Sequence, residues 1–298
     1  MPEQLFRAKG DSQAARTGGT AISYMIRKAF IRLGIIVSFA APAALGQGYP
    51  AFSFSSDNKA ATTTSVKEQP RWETPAVPAR MPQEMAIQSY LTRARQQMTE
   101  LESYSDLTVI EAEIPSSKQR GRYELRRTFS APKSLAFSAV QFVGDNFVKS
   151  NVIVRLLQSE VEHVQKQKGA ETAIVDDNYK FKFKEAQQID GRAVYAYEVK
   201  PRKKRVGLFK GRIYLDAASG SIRRAEGAMV KSPSFFIKKI EFVQDYADFN
   251  GFSLPVRIHS VSQTRVLGTA IVDVQHSDYQ PRSLAQVQAG AGAMTSSR

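Results

Sequence analysis

The chain contains no cysteine, which excludes disulfides, thiolate catalysis, cysteine-based zinc sites and a lipidated cysteine. Histidine is nearly as scarce. His163, His259 and His276 are the only three, and none is spaced with another as metal ligands are. The sequence therefore implies no metal and no cofactor. It also lacks a glycine-rich phosphate loop, a G-x-S-x-G elbow and an H-E-x-x-H helix. Asp176-Asp177 falls at a turn and Glu160-Val-Glu162 on a helix, where solvated charge is the simpler reading. His276-Ser-Asp278 has no nucleophile beside it. With no catalytic constellation left, the chain reads as non-enzymatic. Acidic residues are in deficit too, 28 against 42 Lys and Arg, for a formal charge of +14. Anionic partners are favoured by that balance, although the balance does not say which anion.

What is present is a chain of 298 residues, 42% hydrophobic and 10% aromatic, enough for one substantial core with tails. From Met25, MIRKAFIRLGIIVSFAAPAALGQG places Arg27, Lys28 and Arg32 before an apolar run from Leu33 to Ala41 and a small-residue site at Ala44-Leu45-Gly46. That is the anatomy of a secretory signal, preceded by a polar extension, so residues 1–46 are expected to direct export to the periplasm. The alternative is a retained membrane anchor, for which the run is short against the ~20 residues of a spanning helix. Residues 47–80, rich in Ser, Thr, Ala and Pro, read as a linker, and residues 281–298 as a disordered tail. The folded domain is expected over residues 81–280.

Within it, Ile87, Leu91, Ala94, Met98 and Leu101 trace one face of a helix running from about Pro82 to Ser105. Val154, Leu157, Val161 and Val164 trace a second, within an insert from Phe147 to Lys168, with Gly169 as its left-handed cap and His163 on the solvated side. Most of the remainder alternates with period two. In YKFKFKEA, Tyr179, Phe181 and Phe183 point one way and Lys180, Lys182 and Lys184 the other. Ten such segments begin at Leu107, and the tight-turn pairs Asp190-Gly191, Ser219-Gly220 and Asn250-Gly251 separate successive ones. So many one-faced strands must curl, and their inner face must be filled or covered.

One basic run stands out: Lys200, Arg202, Lys203, Lys204 and Arg205, followed by Leu208, Phe209 and Lys210. It includes Pro201 and Gly207 and lies between two strands, as a hairpin connection does. Solvated charge, contact with an anionic membrane surface and nucleic-acid binding are the three readings. Export argues against nucleic acid, and none is expected as a partner.

The order DGRAVYAYEVKP, GRIYLDAASGSIRRAEG, IKKIEFVQDYADFNGFSLPVRI and TAIVDVQHSDYQ resembles the bacterial LolA-like superfamily of periplasmic lipoprotein-sorting and lipid-binding proteins. The likeness covers roughly residues 81–279. It implies an α+β fold: an incomplete, half-open antiparallel barrel of about ten to eleven strands under amphipathic lid helices. It further implies that the concave face holds the acyl chains of a lipoprotein or lipid. By alternation the lining candidates are Phe137, Tyr179, Phe181, Phe183, Ile213, Leu215, Leu254, Val256, Ile258 and Val272, each of which reads equally as an ordinary packed core residue. Arg127, on one strand face with Tyr123, Leu125 and Phe129, is the positional match to the family's arginine that hydrogen-bonds the lid: bonded to helix-end carbonyls it is a latch, and reaching bulk water at the barrel edge it is surface. An envelope-protein interaction or stress-sensing module with a packed interior is the alternative function, and an envelope protein the alternative partner. Oligomeric state is not encoded in any feature of the sequence.

Overall fold

The computed structural model describes residues 80–287; the expected export signal, most of the linker and the end of the tail lie outside them. Helix α1, Gln83–Glu100, leads directly into β1, Leu101–Ile114. The strand thus starts at Leu101 rather than Leu107, and Leu101 belongs to the sheet. A short 3-10 turn precedes β2, Gln119–Ser130, and then β3, Ser134–Gly144. Three helical pieces follow without a break, Asn146–Val148, a π segment Lys149–Ile153 and Val154–Gln165, here called α2. After the single turn α3, Gly169–Thr172, the chain enters β4, Tyr179–Ile189, and β5, Arg192–Pro201. Strands β6 (Phe209–Asp216), β7 (Ile222–Met229), β8 (Ile237–Phe249), β9 (Phe252–Thr264) and β10 (Thr269–Ser277) complete the meander. Arg282–Ser283 add a short β11 against β1, so the sheet runs slightly past the boundary expected at residue 280.

All pairings are antiparallel, in the order β3-β2-β1-β10-β9-β8-β7-β6-β5-β4. The two ends of that order, β3 and β4, do not pair, so the sheet is curled but open. The helical insert is the chain's route from one free edge to the other. The expected hairpins follow from backbone freedom: Asp190 and Gly191 have φ of 48° and 76°, and Asn250 and Gly251 45° and 95°, the geometry Asx-Gly pairs tolerate.

The helices cover the concave face. Tyr90, Leu91 and Ala94 of α1 pack with Tyr197, Ile213, Leu215 and Phe242 in one cluster. Val152, Ile153, Leu156 and Leu157 of α2 pack with Ile110, Leu125, Ile258 and Val272 in a second. Each fully buried Val, Leu, Ile or Phe among these contributes about 1.5–3 kcal/mol by leaving water. Both helices are rotated from the expected stripes. Met98 is exposed while Gln97 is buried, and Val161 and Val164 are only half-buried while Glu160 is buried. The reversal at the end of α2 falls on Gln167, with φ of 51°. Gly169, expected as that cap, instead opens α3.

Candidate functional site

On β1 the residues facing the helices include Tyr104, Asp106 and Thr108, and on β2 Arg127 and Phe129. Asp106 and Arg127 are direct cross-strand partners. Arg127 Nε donates to Asp106 Oδ2 at 2.8 Å and its Nη2 to the Tyr279 hydroxyl at 2.8 Å. Tyr279 in turn donates to the Pro255 carbonyl at 2.7 Å. The Tyr104 ring lies 5.1 Å from the guanidinium carbon. The second oxygen of Asp106 faces Thr108 and His276, with His276 Nδ1 3.3 Å from it and 2.9 Å from Thr108 Oγ1.

One strand of this network reaches the lid. Glu160 Oε2 on α2 stands 3.8 Å from Arg127 Nη1, with both side chains buried. Arg127 thus meets the helix through a carboxylate rather than through helix-end carbonyls. Burial pushes the Glu160 carboxyl up to about 7, against the pull of Arg127. Burial, helped by Arg127, pushes His276 down to about 4. Asp106 is also desolvated, yet the hydrogen bond from His276 and the charge of Arg127 win and lower it. A solvated role for Glu160, the simpler reading of the sequence, does not hold. It faces inward because α2 turns Val152, Leu156 and Glu160 to the sheet at i, i+4 and i+8.

Above this network a cleft of about 280 Å³ opens between the C-terminal parts of α1 and α2. Leu101, Tyr104, Phe129 and Leu135 supply apolar walls, and Arg127 and Glu160 lie at its base. His163, expected in solvent, lines it as well, with its Nε2 3.3 Å from the Thr172 hydroxyl. That hydroxyl also faces the Lys168 and Gly169 carbonyls, at 3.2 and 3.3 Å.

None of the ten expected lining residues borders this cleft. Tyr179, Phe181, Phe183, Ile213 and Leu215 pack under α1. Ile258 and Val272 pack under α2, and Leu254 and Val256 in a third cluster with Leu101, Phe129 and Tyr279. Phe137 touches both of the latter clusters. These residues pack in the clusters beneath and beside the helices, which fill most of the inner face. The expected latch, Arg127, is the one candidate at the cleft. Nothing in the period-two pattern marks Gln97, Glu160 or His163, which come from helices; the isolated polar residues on otherwise apolar inner faces, Asp106 and Arg127, were the available signal.

The basic run connects β5 and β6 at the strand ends opposite those that border the cleft. Lys200 is paired with Glu198 at 2.9 Å, Arg202 donates to the Asp176 carbonyl at 2.6 Å and Arg205 to Asn178 Oδ1 at 3.1 Å. Lys203, Lys204 and Lys210 are exposed and have no ion pair among the described residues. No metal-binding group of three or more His, Asp or Glu occurs among those residues, and none of their helices is long and apolar enough to cross a membrane.

Fold and site together define a half-open antiparallel barrel with a two-helix lid and a small apolar cleft sealed by a buried ionic network. No family model matches the chain, and no curated protein matches it. Among solved structures it is similar to a LolA superfamily protein from Nitrosomonas europaea, at 12% identity and TM-score 0.33, over 67% of this chain and 94% of that one. It is also similar to an outer membrane lipoprotein-sorting protein domain from Vibrio parahaemolyticus, at 11% identity and TM-score 0.34, over 65% and 91%. A third is the MucA/MucB complex of Pseudomonas aeruginosa, at 8% identity and TM-score 0.21, over 60% and 94%. The first of these belongs to the LolA-like group that the strand and turn motifs resemble.

Proposed function

We propose that this is an exported, non-enzymatic binding protein that holds an alkyl chain of a lipid or lipoprotein in the cleft between α1, α2 and the floor of β1 and β2. The observation that carries this reading is the cleft itself: about 280 Å³, apolar on its walls, with its polar groups confined to the base and rim. Its volume lies just under the range of roughly 300–1,000 Å³ typical of ligand pockets, which suits one chain rather than several. Burial of each methylene would contribute about 0.8 kcal/mol. Arg127 is the latch in this scheme, because its approach to Glu160 ties the floor to the helix that must move for a larger cargo. Contact of Lys200, Arg202, Lys203, Lys204, Arg205 and Lys210 with an anionic membrane would bring the carrier to its source or acceptor.

The test is native mass spectrometry of freshly purified protein together with uptake of a fluorescent fatty acid. A lipid adduct and saturable uptake are expected, and Val164→Trp, which fills the cleft from α2, should abolish uptake while leaving the fold intact. No adduct and no uptake would overturn the carrier. In that event the second reading, an envelope-protein interaction module, would stand on the solid packing of Tyr179, Ile213, Leu215 and Ile258.

A further inference from the structure

The four connections β1–β2, β9–β10, β7–β8 and β5–β6 lie at one end of the sheet, and the strand order makes them consecutive along its rim. They are also physically joined. Ser116 Oγ donates to the Leu267 carbonyl at 3.0 Å. Arg265 donates from its backbone to the Phe236 carbonyl and from Nε to the Phe235 carbonyl, both at 2.8 Å. Val230 N donates to the Leu208 carbonyl at 3.0 Å. Residues 115–118, 202–208, 230–236 and 265–268 hold seven basic residues (Lys118, Arg202, Lys203, Lys204, Arg205, Lys231 and Arg265) and no acidic one. The turns of the opposite rim, 131–133, 190–191, 217–221, 250–251 and 278–281, hold Lys133 against Asp190 and Asp278.

The basic rim also carries apolar tips. Phe235 is 76% exposed and Val266 55%. Phe235 is held outward: Phe236 beside it packs into the core under α2, and the Arg265 guanidinium sits 4.7 Å from the Phe235 ring centre. Arg205 is paired with Glu171 at 3.9 Å, but Lys203, Lys204, Lys231 and Arg265 have no ion pair among the described residues. A large aromatic fixed in water by two tethers, on a rim with that surplus of positive charge, matches the two requirements of the interface of an anionic bilayer. Apolar side chains enter the acyl boundary while lysines and arginines meet the phosphates. An acidic protein surface would satisfy the charge but gives no reason for the protruding ring.

We infer that this rim is a membrane-docking surface, in which Phe235 and Val266 insert into an anionic lipid interface and Lys203, Lys204, Lys231 and Arg265 bind its headgroups. The inference does not depend on what occupies the cleft.

Because the chain has no cysteine, single cysteines can report each rim without background. Full-length protein carrying Phe235→Cys, Val266→Cys or Asp278→Cys is labelled with a polarity-sensitive fluorophore and mixed with phosphatidylglycerol-containing or pure phosphatidylcholine vesicles. The emission should shift blue at positions 235 and 266 with the anionic vesicles only, and not at 278. Adding Lys203→Glu and Lys204→Glu to the Phe235→Cys protein should raise the lipid needed for half of the shift at least about tenfold. Phe235→Ser should leave fatty-acid uptake unchanged, which separates this surface from the cleft. An aqueous environment at 235 in the presence of anionic vesicles overturns the proposal, whether or not the protein adheres elsewhere. So does an equal shift with both lipids, or a shift at 278, or protection of 235 by an acidic polypeptide but not by lipid.

Discussion

Arg127 and Asp106 face each other across β1 and β2, joined by a 2.8 Å hydrogen bond at a place where neither side chain exceeds 1% exposure. A pair so deeply buried is held by its neighbours: Tyr279 and Glu160 on the arginine, Thr108 and His276 on the aspartate. Removing one partner would leave the other charged and desolvated.

Arg127→Met is accordingly expected to lower unfolding free energy by about 3–5 kcal/mol, and the double change with Asp106→Leu by clearly less than the sum of the two single changes. Urea denaturation of the four proteins of the cycle measures this. Additive losses would show that the two side chains do not act as a pair.

Glu160 and His276 give the domain opposing pH responses. The folded Glu160 keeps its proton up to about 7 while an ordinary glutamate loses it near 4.5. Between those values the folded state binds more protons, so this group makes stability fall as pH rises. The folded His276 stays neutral down to about 4, against an ordinary 6.5. In that window the unfolded state binds more protons, so this group makes stability fall as pH falls. Glu160→Gln should therefore unmask the histidine: urea midpoints of the variant should climb between pH 4 and 6.5 more steeply than those of the parent. Parallel profiles would contradict the buried placement of Glu160.

Gln97 ties the end of α1 to the start of β9, its amide meeting both the N–H and the carbonyl of Ser253 at 3.2 and 3.4 Å. Gln97→Ala strands two buried backbone groups and should cost about 1–3 kcal/mol. Hydrogen exchange should show the loss first in α1 and at Ser253, and uniform protection like that of the parent would count against the tether.

Gly211 and Gly227 stand opposite one another on β6 and β7. A Cβ on Gly211 would come within 1.9 Å of the Glu226 carbonyl oxygen, and one on Gly227 within 2.3 Å of that of Lys210. Backbone cannot yield as a flexible side chain can, so Gly211→Ala should destabilise by at least about 1–3 kcal/mol. A thermal melt unchanged from the parent would refute the close approach.

Several of these features can be read from residues in order along the chain. Alternation in YKFKFKEA gives the inner and outer faces of β4, with Lys180, Lys182 and Lys184 exposed. The Asx-Gly pairs give two hairpins, and the apolar stripes give two helices. The stripes misjudge rotation because an error of one residue, about 100° around the helix, is invisible until the partner surface is known: Met98 and Gln97 are neighbours in sequence and exchange roles in space.

The cleft was much less legible. Its walls come from α1, β1, β2, the β2–β3 turn, β3, α2 and α3, segments whose proximity depends on which helix lies where on the sheet. The expected lining residues are inward-facing, as alternation requires, but α1 and α2 occupy the space above them.

The sequence by itself determined the period-two faces, the sites of chain reversal, the strong positive balance and the lack of thiol chemistry, because each depends on local sterics or on composition. Tertiary structure alone decided that β1 pairs with β10, placing Asp106 of one beside His276 of the other. It also decided that four loops far apart in sequence share one basic rim, and that Glu160 meets Arg127 beneath a cleft. Those outcomes come from long-range pairing and from the fit of helices to a curled sheet, where the energy of each contact depends on all the others being in place.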